Sequence, residues 1–242
     1  MKIRYAEDRQ WLREAVELSW LCPGAETAYA VGAIVVDADG KELSRGYSRD
    51  DSPVLHAEES ALAGLAGRGL DLSGATKVVD VCGGRGHLLA ALLERNPQLQ
   101  GVLFDTAEAL ANADARLREG GAAADRAELL AGDIRQSLPV EADVYVLKNI
   151  LEWNDENAVS VLRSVAAAAP AGARIVVIGN VVDASPEVTF TTSVDLMLLL
   201  NVGGSRRTVK ELRALIEKGD LVVESDRPVD AYLALLECRL AD

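Results

Sequence analysis

Residues 77–86 read KVVDVCGGRG, and this stretch decides the fold of the chain. An apolar strand that runs into a glycine-rich turn lets backbone N–H groups and the next helix N-terminus face a polar ligand. The following apolar run, 101–105, ends in Asp105, where nucleotide-binding α/β folds place an acid that binds ribose. The two stretches together predict a small nucleotide-type cofactor at this turn.

Strands and helices alternate from this turn onward. Such alternation predicts an α/β fold with a mostly parallel, doubly wound, Rossmann-like sheet that binds its ligand at the carboxyl ends of the strands. The predicted elements are strand 78–82, helix 86–95, strand 101–105, helix 107–118, strands 127–131 and 143–147, helix 155–168, strand 173–182, helix 208–217, and a closing pair near 220–226 and 231–239.

The glycine turn is not the dinucleotide-binding fingerprint, because Asp80 precedes the glycines and the third glycine of G-x-G-x-x-G is missing. From Lys77 to its end the chain instead resembles the family of S-adenosylmethionine (SAM)-dependent small-molecule O-methyltransferases of plants and actinobacteria. The motifs that carry the resemblance are 79–86, 103–105, 132–133, 147–151, 153–156 and 203–208.

The resemblance implies a SAM site along the strand ends. The methionine portion of SAM lies against the glycine turn, Asp105 accepts hydrogen bonds from both ribose hydroxyls, and Asp133 faces the exocyclic amine of adenine. Ile134 covers the adenine ring, and Lys148 lies near the polar end of the cofactor. The predicted cofactor-binding residues are Asp80, Gly83, Gly84, Gly86, Asp105, Thr106, Asp133, Ile134 and Lys148.

The catalytic position departs from the family pattern. A phenol requires a base for methyl transfer because the phenolate is the better nucleophile, and the related enzymes use a His in the pattern L-H-D-W. This chain reads Leu151-Glu152-Trp153, one residue shorter and without His. Asn180 and Arg206 stand where the family has the two acids that flank the His. The predicted catalytic residue is therefore Glu152, and the predicted substrate-binding residues are Trp153, Met197 and Asn180.

Three hypotheses remain open for the chemistry. Glu152 acts as the base, with a pKa raised by burial beside Trp153. Alternatively, the substrate is an amine or ring nitrogen, and proximity supplies most of the acceleration. In the third hypothesis, SAM is bound for a different reaction, or for an inactive role in assembly. The predicted substrate is a small aromatic or heteroaromatic metabolite of secondary metabolism.

Residues 1–76 are predicted to form a separate small α+β segment before the methyltransferase domain of residues 77–242. A helix over 7–21, a hairpin around 37–40 and a helix over 54–66 are predicted. The segment resembles the first half of a zinc-dependent cytidine or riboflavin-pathway deaminase. The motifs that carry this likeness are 31–37, 46–48, 56–59 and 71–76.

The deaminase likeness predicts no metal site. In that family the His of H-A-E binds zinc and the Glu shuttles a proton, while a later P-C-x-x-C supplies two thiolates. His56 and Glu58 match the first motif, but the cysteine pair has no counterpart, and one His cannot hold a catalytic zinc. His56 and Glu58 are therefore interpreted as capping and packing residues. The segment is expected to serve as a lid over the cofactor cleft or as the interface of a homodimer.

Composition excludes several classes of function. The 242 residues are 49% hydrophobic and carry a net charge of −13, which argues against nucleic acid as a partner. No apolar run approaches the roughly 20 residues that span a bilayer, so no membrane partner and a cytoplasmic location are expected. The three cysteines, Cys22, Cys82 and Cys238, are far apart and are expected to be reduced.

Overall fold

The computed structural model describes residues 5–24, 30–36, 41–48, 70–184, 196, 198–200, 203–229 and 233–241. The chain divides into two compact units, Met1–Asp71 with Ala90–Leu92, and Leu72–Leu89 with Leu93–Asp242. The predicted helix over 54–66, the hairpin turn at 37–40 and the predicted site residue Met197 lie outside the described residues, as do His56 and Glu58.

The first unit contains one described helix and a pair of strands. These are α1 (Tyr5–Ser19), β1 (Gly32–Val36) and β2 (Glu42–Tyr47). The strands pair antiparallel, with a register shift between Val35 and Val36. A Cβ at Gly32 would collide with the carbonyl oxygen of Ala15, so the glycine lets α1 approach the strand closely. The predicted helix and both strands are confirmed.

The second part of the chain is a sheet flanked by helices. Its elements are β3 (Lys77–Val81), α2 (His87–Arg95), β4 (Gln100–Asp105), α3 (Ala107–Leu110), β5 (Ala127–Ala131), β6 (Val144–Lys148), α4 (Asp155–Ala168), β7 (Arg174–Asn180), α5 (Val209–Lys218), β8 (Leu221–Pro228) and β9 (Leu233–Leu240). Short 3-10 turns occur at Ala115–Leu117, Ala124–Arg126 and Val182–Ala184.

The seven strands follow the order β5-β4-β3-β6-β7-β9-β8. The first five run parallel, and β9 runs antiparallel to both β7 and β8. This mixed sheet confirms the predicted α/β fold. The chain order reverses between β3 and β6, and ligands of open α/β sheets bind beyond the carboxyl ends of the strands at such a point.

The centre of the sheet is apolar on both faces. Val78, Val79 and Val81 of β3 have no exposed surface. Strands that are covered on both sides read as continuous apolar runs, which is why this part of the sequence shows no alternation. Asp143 holds the start of β3, because its Oδ2 accepts hydrogen bonds from the backbone N–H groups of Thr76 and Lys77 at 2.7 and 2.9 Å.

The predicted helix over 107–118 is wrong beyond its first turn. The α-helix covers only Ala107–Leu110, and a 3-10 turn follows at Ala115–Leu117. The carboxylate of Asp114 accepts a hydrogen bond from the Arg116 N–H at 2.8 Å and so caps the short turn. Asp side chains compete in this way with regular helix hydrogen bonding.

Candidate functional site

A cleft of about 580 Å³ opens at the carboxyl ends of the parallel strands. This volume lies in the range of sites for small molecules and cofactors. The cleft contains five of the predicted site residues, from the ends of β4 and β5 and from the loop after β6. Its lining comprises Cys82, Asp105, Thr106, Gly132, Asp133, Ile134, Arg135, Ile150, Trp153 and Asn157.

The glycine turn after β3 requires its glycines for two different reasons. Gly84 and Gly86 have φ angles of 60° and 79°, a region that side chains with a Cβ rarely adopt. Gly83 lacks space instead, because a Cβ there would collide with the carboxylate of Asp80. The turn therefore brings backbone close to the strand end, as the sequence predicts.

Asp80 is a buried acid near the end of β3. The residue is only 1% exposed, and within the described residues neither carboxylate oxygen accepts a hydrogen bond of ordinary geometry, although the backbone N–H of Leu89 is near enough to lower its pKa. Burial raises the pKa of Asp80 to about 7, and the positive charge of Lys148 opposes this rise. Buried acids are normally paired, so this carboxylate fits a cationic or hydrogen-bond-donating ligand group.

Asp105 connects the glycine turn to the end of β4. One carboxylate oxygen accepts a hydrogen bond from the Gly84 N–H at 2.8 Å, and the other accepts one from the Thr106 N–H at 2.7 Å. A carboxylate has about four acceptor sites, so both oxygens keep capacity for the hydroxyl groups of a ligand.

Asp133 lines the cleft together with Arg135, which the sequence analysis missed. The Arg135 guanidinium binds both carboxylate oxygens, with Nε–Oδ1 and Nη2–Oδ2 distances of 2.9 and 2.8 Å. This pairing lowers the pKa of Asp133 to about 2. Ile134 between them is 2% exposed and also lines the cleft. The Asp-x-Arg spacing was the one sequence signal for this pair.

Cys82 occupies a conformation that favours glycine. Its φ angle is 52°, in the left-handed region that residues with a Cβ rarely adopt. Burial, together with the negative charges of Asp105, Asp80 and Asp133, raises the pKa of the Cys82 thiol to about 12. The thiol is therefore protonated at neutral pH.

Glu152 lies in a small polar group beside the ends of β6 and β7. The Asn180 side-chain amide lies 3.2 Å from Glu152 Oε1 and 3.3 Å from Asn149 Oδ1. Asn149 has a φ angle of 56°, which Asn tolerates better than most residues. The structure thus brings together the predicted residues Glu152 and Asn180, while Trp153, next in the chain, lines the larger cleft.

The loop that carries Glu152 is held by Arg207, which the sequence analysis also missed. Arg207 Nη2 donates to the Trp153 carbonyl at 2.8 Å and to Asp155 Oδ1 at 2.7 Å, and Nη1 donates to the Leu151 carbonyl. A Cβ at Gly204 would collide with the Glu152 carbonyl. The motif at 203–208 therefore packs on the loop through both a glycine and an arginine.

A second network supports the glycine turn from behind. The buried Asp114 carboxylate binds His87 Nδ1 at 3.0 Å and the Arg116 guanidinium, and the Asp114 N–H donates to the Arg85 carbonyl at 2.7 Å. Burial alone would raise the pKa of Asp114, but the hydrogen bonds from His87 and Arg116 hold it far below the usual range. No sequence motif signalled this contact between distant residues.

Within the part of the chain that the structure describes, no group of three or more His, Cys, Asp or Glu residues is arranged to hold a metal ion. No helix among the same residues is long and apolar enough to cross a membrane.

Comparisons with known proteins match both segments of the chain. Residues 49–220 match the O-methyltransferase domain, and residues 5–83 match the zinc-binding region of cytidine and deoxycytidylate deaminases. The mitomycin biosynthesis 6-O-methyltransferase of Streptomyces lavendulae is 41% identical over 70% of this chain and 48% of its own length. The aclacinomycin 10-hydroxylase of Streptomyces purpurascens is 36% identical over 65% of this chain and 42% of its own length.

Solved structures of similar proteins share the sheet. A mitomycin 7-O-methyltransferase superposes with a TM-score of 0.71 at 38% identity, covering 76% of this chain and 55% of that one. An O-methyltransferase from neocarzinostatin biosynthesis, in complex with SAM and 2-hydroxy-5-methyl naphthoic acid, gives 0.65 at 32% identity, covering 75% and 52%. The chain thus spans about half the length of the relatives it matches. By its sequence match over 49–220 and its sheet, this chain belongs to the O-methyltransferase family.

Proposed function

We propose that this protein transfers the methyl group of SAM to a small aromatic or heteroaromatic metabolite of secondary metabolism. The observation that carries the proposal is the cleft at the carboxyl ends of the strands, which Asp105, Asp133 and Ile134 line beside the glycine turn. A relative named as a mitomycin biosynthesis 6-O-methyltransferase, and another solved in complex with a naphthoic acid, support the class of substrate.

The residues present fit the chemical groups of SAM. The carboxylate of Asp80 suits the cationic methionine portion, and the glycine turn offers space and backbone donors beside it. Asp105 keeps acceptor sites for two ribose hydroxyls, and the apolar Ile134 suits the adenine ring. When bound, SAM supplies an electrophilic methyl group on a sulfonium. The protein must orient the acceptor atom toward this methyl group and exclude water.

Glu152 is the proposed base for a hydroxyl substrate. Its carboxylate accepts a hydrogen bond from the Asn180 amide and precedes Trp153, which lines the cleft. A carboxylate in this position would receive the proton of a substrate hydroxyl as the oxygen attacks the methyl group. For an amine or ring nitrogen, Glu152 would orient the substrate and no strong base would be needed.

Binding of SAM is the first experiment. Calorimetric titrations with SAM and with S-adenosylhomocysteine should give micromolar-range binding, which Asp105→Ala should weaken strongly. The exposed Asp125 lies just before β5, at the amino end of that strand, and Asp125→Ala serves as the matched control. Absence of binding by the wild type would refute the SAM site. Equal loss in both variants would refute the role of Asp105.

The role of Glu152 requires turnover of phenol and N-heterocycle substrates. Glu152→Gln keeps the size of the side chain and removes its basicity, so turnover of a phenol should fall by about 100-fold or more with unchanged SAM affinity. Glu156→Gln, at an exposed site in the first turn of α4, is the control. Full activity of Glu152→Gln on a phenol would exclude Glu152 as the base.

A second candidate function is a SAM-dependent reaction without methyl transfer. It is favoured by the combination of Glu152, Asn180 and Arg206 at the three changed catalytic positions, and by the similarity to a hydroxylase. Mass spectrometry of products separates the two candidates, because only methyl transfer adds a methyl group and yields S-adenosylhomocysteine. A changed substrate without an added methyl group would favour the second candidate, and an unchanged substrate would favour the inactive assembly role.

The first 76 residues are proposed to act as a lid or as the interface of a homodimer, with residues 77–242 as the methyltransferase domain. The exposed Leu12 and Val16 lie one turn apart on α1, the exposed Trp20 follows directly after the helix, and these residues support the dimer. A cytoplasmic location remains a prediction.

A further inference from the structure

Arg207 contacts the loop that joins β6 to α4 at three points. Its guanidinium donates to the carbonyl of Leu151, to the carbonyl of Trp153 at 2.8 Å and to the carboxylate of Asp155 at 2.7 Å. The side chain is only 10% exposed, whereas that of Asp155 is 65% exposed. The two carbonyls lie directly before and directly after Glu152 in the chain.

These contacts restrict the backbone on both sides of Glu152. A buried guanidinium is planar and has five N–H donors in fixed directions, so it can hold two carbonyls and a carboxylate at once. Gly204 packs directly against the same loop, because a Cβ at this position would collide with the Glu152 carbonyl. The loop cannot shift away from Asn180 unless these hydrogen bonds break.

The anchor of Arg207 is itself part of the fold. The Arg207 carbonyl accepts a hydrogen bond from the Val182 N–H at 3.0 Å, and Val181 and Arg207 form a parallel bridge. Asn180 ends β7 immediately before this bridge. The same stretch of chain therefore holds Asn180 and, through Arg207, the loop of Glu152.

From this geometry we infer that Arg207 is a positioning residue, which holds Glu152 beside Asn180 and fixes the backbone of Trp153, a residue that lines the cleft. The inference rests on the proposed function only for the catalytic role of Glu152. The contacts of Arg207 do not depend on it. It assigns a role to an arginine that does not itself line the cofactor cleft but binds the backbone of Trp153, which does.

The ion pair with Asp155 is the lesser part of this role. Asp155 is mostly exposed, and exposed ion pairs contribute little. The carbonyls of Leu151 and Trp153 are the contacts that define the loop. Lys at position 207 would keep the charge but could not reach both carbonyls in the geometry of the guanidinium fork. Charge and positioning can therefore be separated by substitution.

The test uses the fluorescence of Trp153 in the full chain. Trp11→Phe and Trp20→Phe remove the other two tryptophans, leaving Trp153 as the only tryptophan. Selective excitation of tryptophan then reports on Trp153 alone. In this background Arg207→Ala and Arg207→Lys should both shift the Trp153 emission to longer wavelength and increase its quenching by acrylamide. Asp155→Asn should leave the signal close to that of the parent protein.

Arg213→Ala is the matched control for loss of an arginine, since Arg213 lies on α5 and pairs with Asp226 away from the loop. It should not change the Trp153 signal. An unchanged signal in Arg207→Lys would overturn the inference, as would an equal change in Arg213→Ala. If Arg207→Ala does not fold, Arg207→Lys, which retains the buried charge, tests the inference by itself.

Turnover supplies the second readout. With a substrate in hand, Arg207→Lys should lower kcat by about 100-fold, as expected for a displaced catalytic group, with little change in the KM for SAM. A rise in the KM for SAM without loss of kcat would overturn the role. Failure of the proposed function appears separately, as absence of S-adenosylhomocysteine binding by the parent protein while the Trp153 response is intact.

Discussion

At the scale of single residues, Asp80 combines burial with the absence of a hydrogen bond of ordinary geometry from the described residues. Its folded-state pKa of about 7 lies above the ordinary value of 3.8, so the folded protein holds a proton that the unfolded chain releases. The stability from this proton is fully present below pH 4 and is lost as the pH rises through 7. A ligand cation would favour the ionised form of Asp80. The buried carboxylate therefore lowers the stability of the ligand-free protein near neutral pH but favours binding of the cation.

Asp80→Asn should remove this pH dependence. Between pH 5 and pH 8, the variant should gain about 2–3 kcal/mol in free energy of unfolding relative to the wild type, because it has no proton to lose. Urea unfolding of the ligand-free proteins at both pH values measures the difference. The exposed Asp125→Asn should show no such gain. An equal difference at the two pH values would contradict the assignment to Asp80.

Cys82 gives a second prediction at this scale. Because its φ angle is 52°, Cys82→Gly should stay within about 1 kcal/mol of the wild type, whereas Cys82→Val should cost about 1–3 kcal/mol. Chemical denaturation measures both. Cys238→Val is the matched control, since Cys238 is a buried cysteine in β9, where a β-branched residue is favoured. Equal costs at the two cysteines would show that backbone conformation is not the cause.

At the scale of elements, hydrogen bonds from distant residues finish the helices and strands. Arg126 donates from Nη2 to the Leu93 carbonyl at 2.9 Å and from Nη1 to the carbonyls of Asn96 and Leu99 at 3.2 and 3.0 Å. Leu93 lies in the last turn of α2, where carbonyls lack helical partners. Arg126 therefore caps α2 and holds the turn that leads into β4.

Arg126→Lys should destabilise the protein by about 1–3 kcal/mol, because one ammonium cannot replace a fork that satisfies three carbonyls. Thermal and urea unfolding give the measurement. Arg118→Lys is the control, since Arg118 is exposed and should be neutral within about 0.5 kcal/mol. If both variants match the wild type, the cap contributes nothing to stability.

At the scale of the whole molecule, α1 and the residue that follows it expose large apolar side chains, which are candidates for an interface with a second chain. Leu12, Val16 and Trp20 are 65%, 49% and 77% exposed. Adjacent apolar side chains on one helix face are uncommon at a free surface and are typical of an interface. A second copy of the chain is the occupant that our homodimer prediction names.

Sedimentation velocity should therefore detect a dimer at micromolar concentration. Leu12→Gln with Val16→Gln should convert it to a monomer, since the change removes apolar area from the proposed interface. Glu17→Gln, on the same helix, should leave the dimer intact. A wild type that stays monomeric at all concentrations would refute the dimer and leave the lid as the proposed role of this segment.

The sequence by itself determined the α/β class, the strands around the glycine turn, and the position of Asp80, Asp105 and Asp133 at strand ends. These features follow from local patterns, because burial on both faces demands apolar runs and a tight turn demands glycine. The binding roles of these acids stay predictions. Patterns of this kind can be identified in the sequence without knowing which strands are neighbours.

Only the tertiary structure decided the surroundings of these residues. The hold of Arg207 on the Glu152 loop, the pairing of Asp114 with His87, and the contact between Asn180 and Glu152 join segments far apart in the chain. The premature end of α3 has the same origin, since Asp114 caps a 3-10 turn while it binds His87. Such contacts depend on the order of the strands, and the hydrogen bonds they form outweigh the local preference for helix.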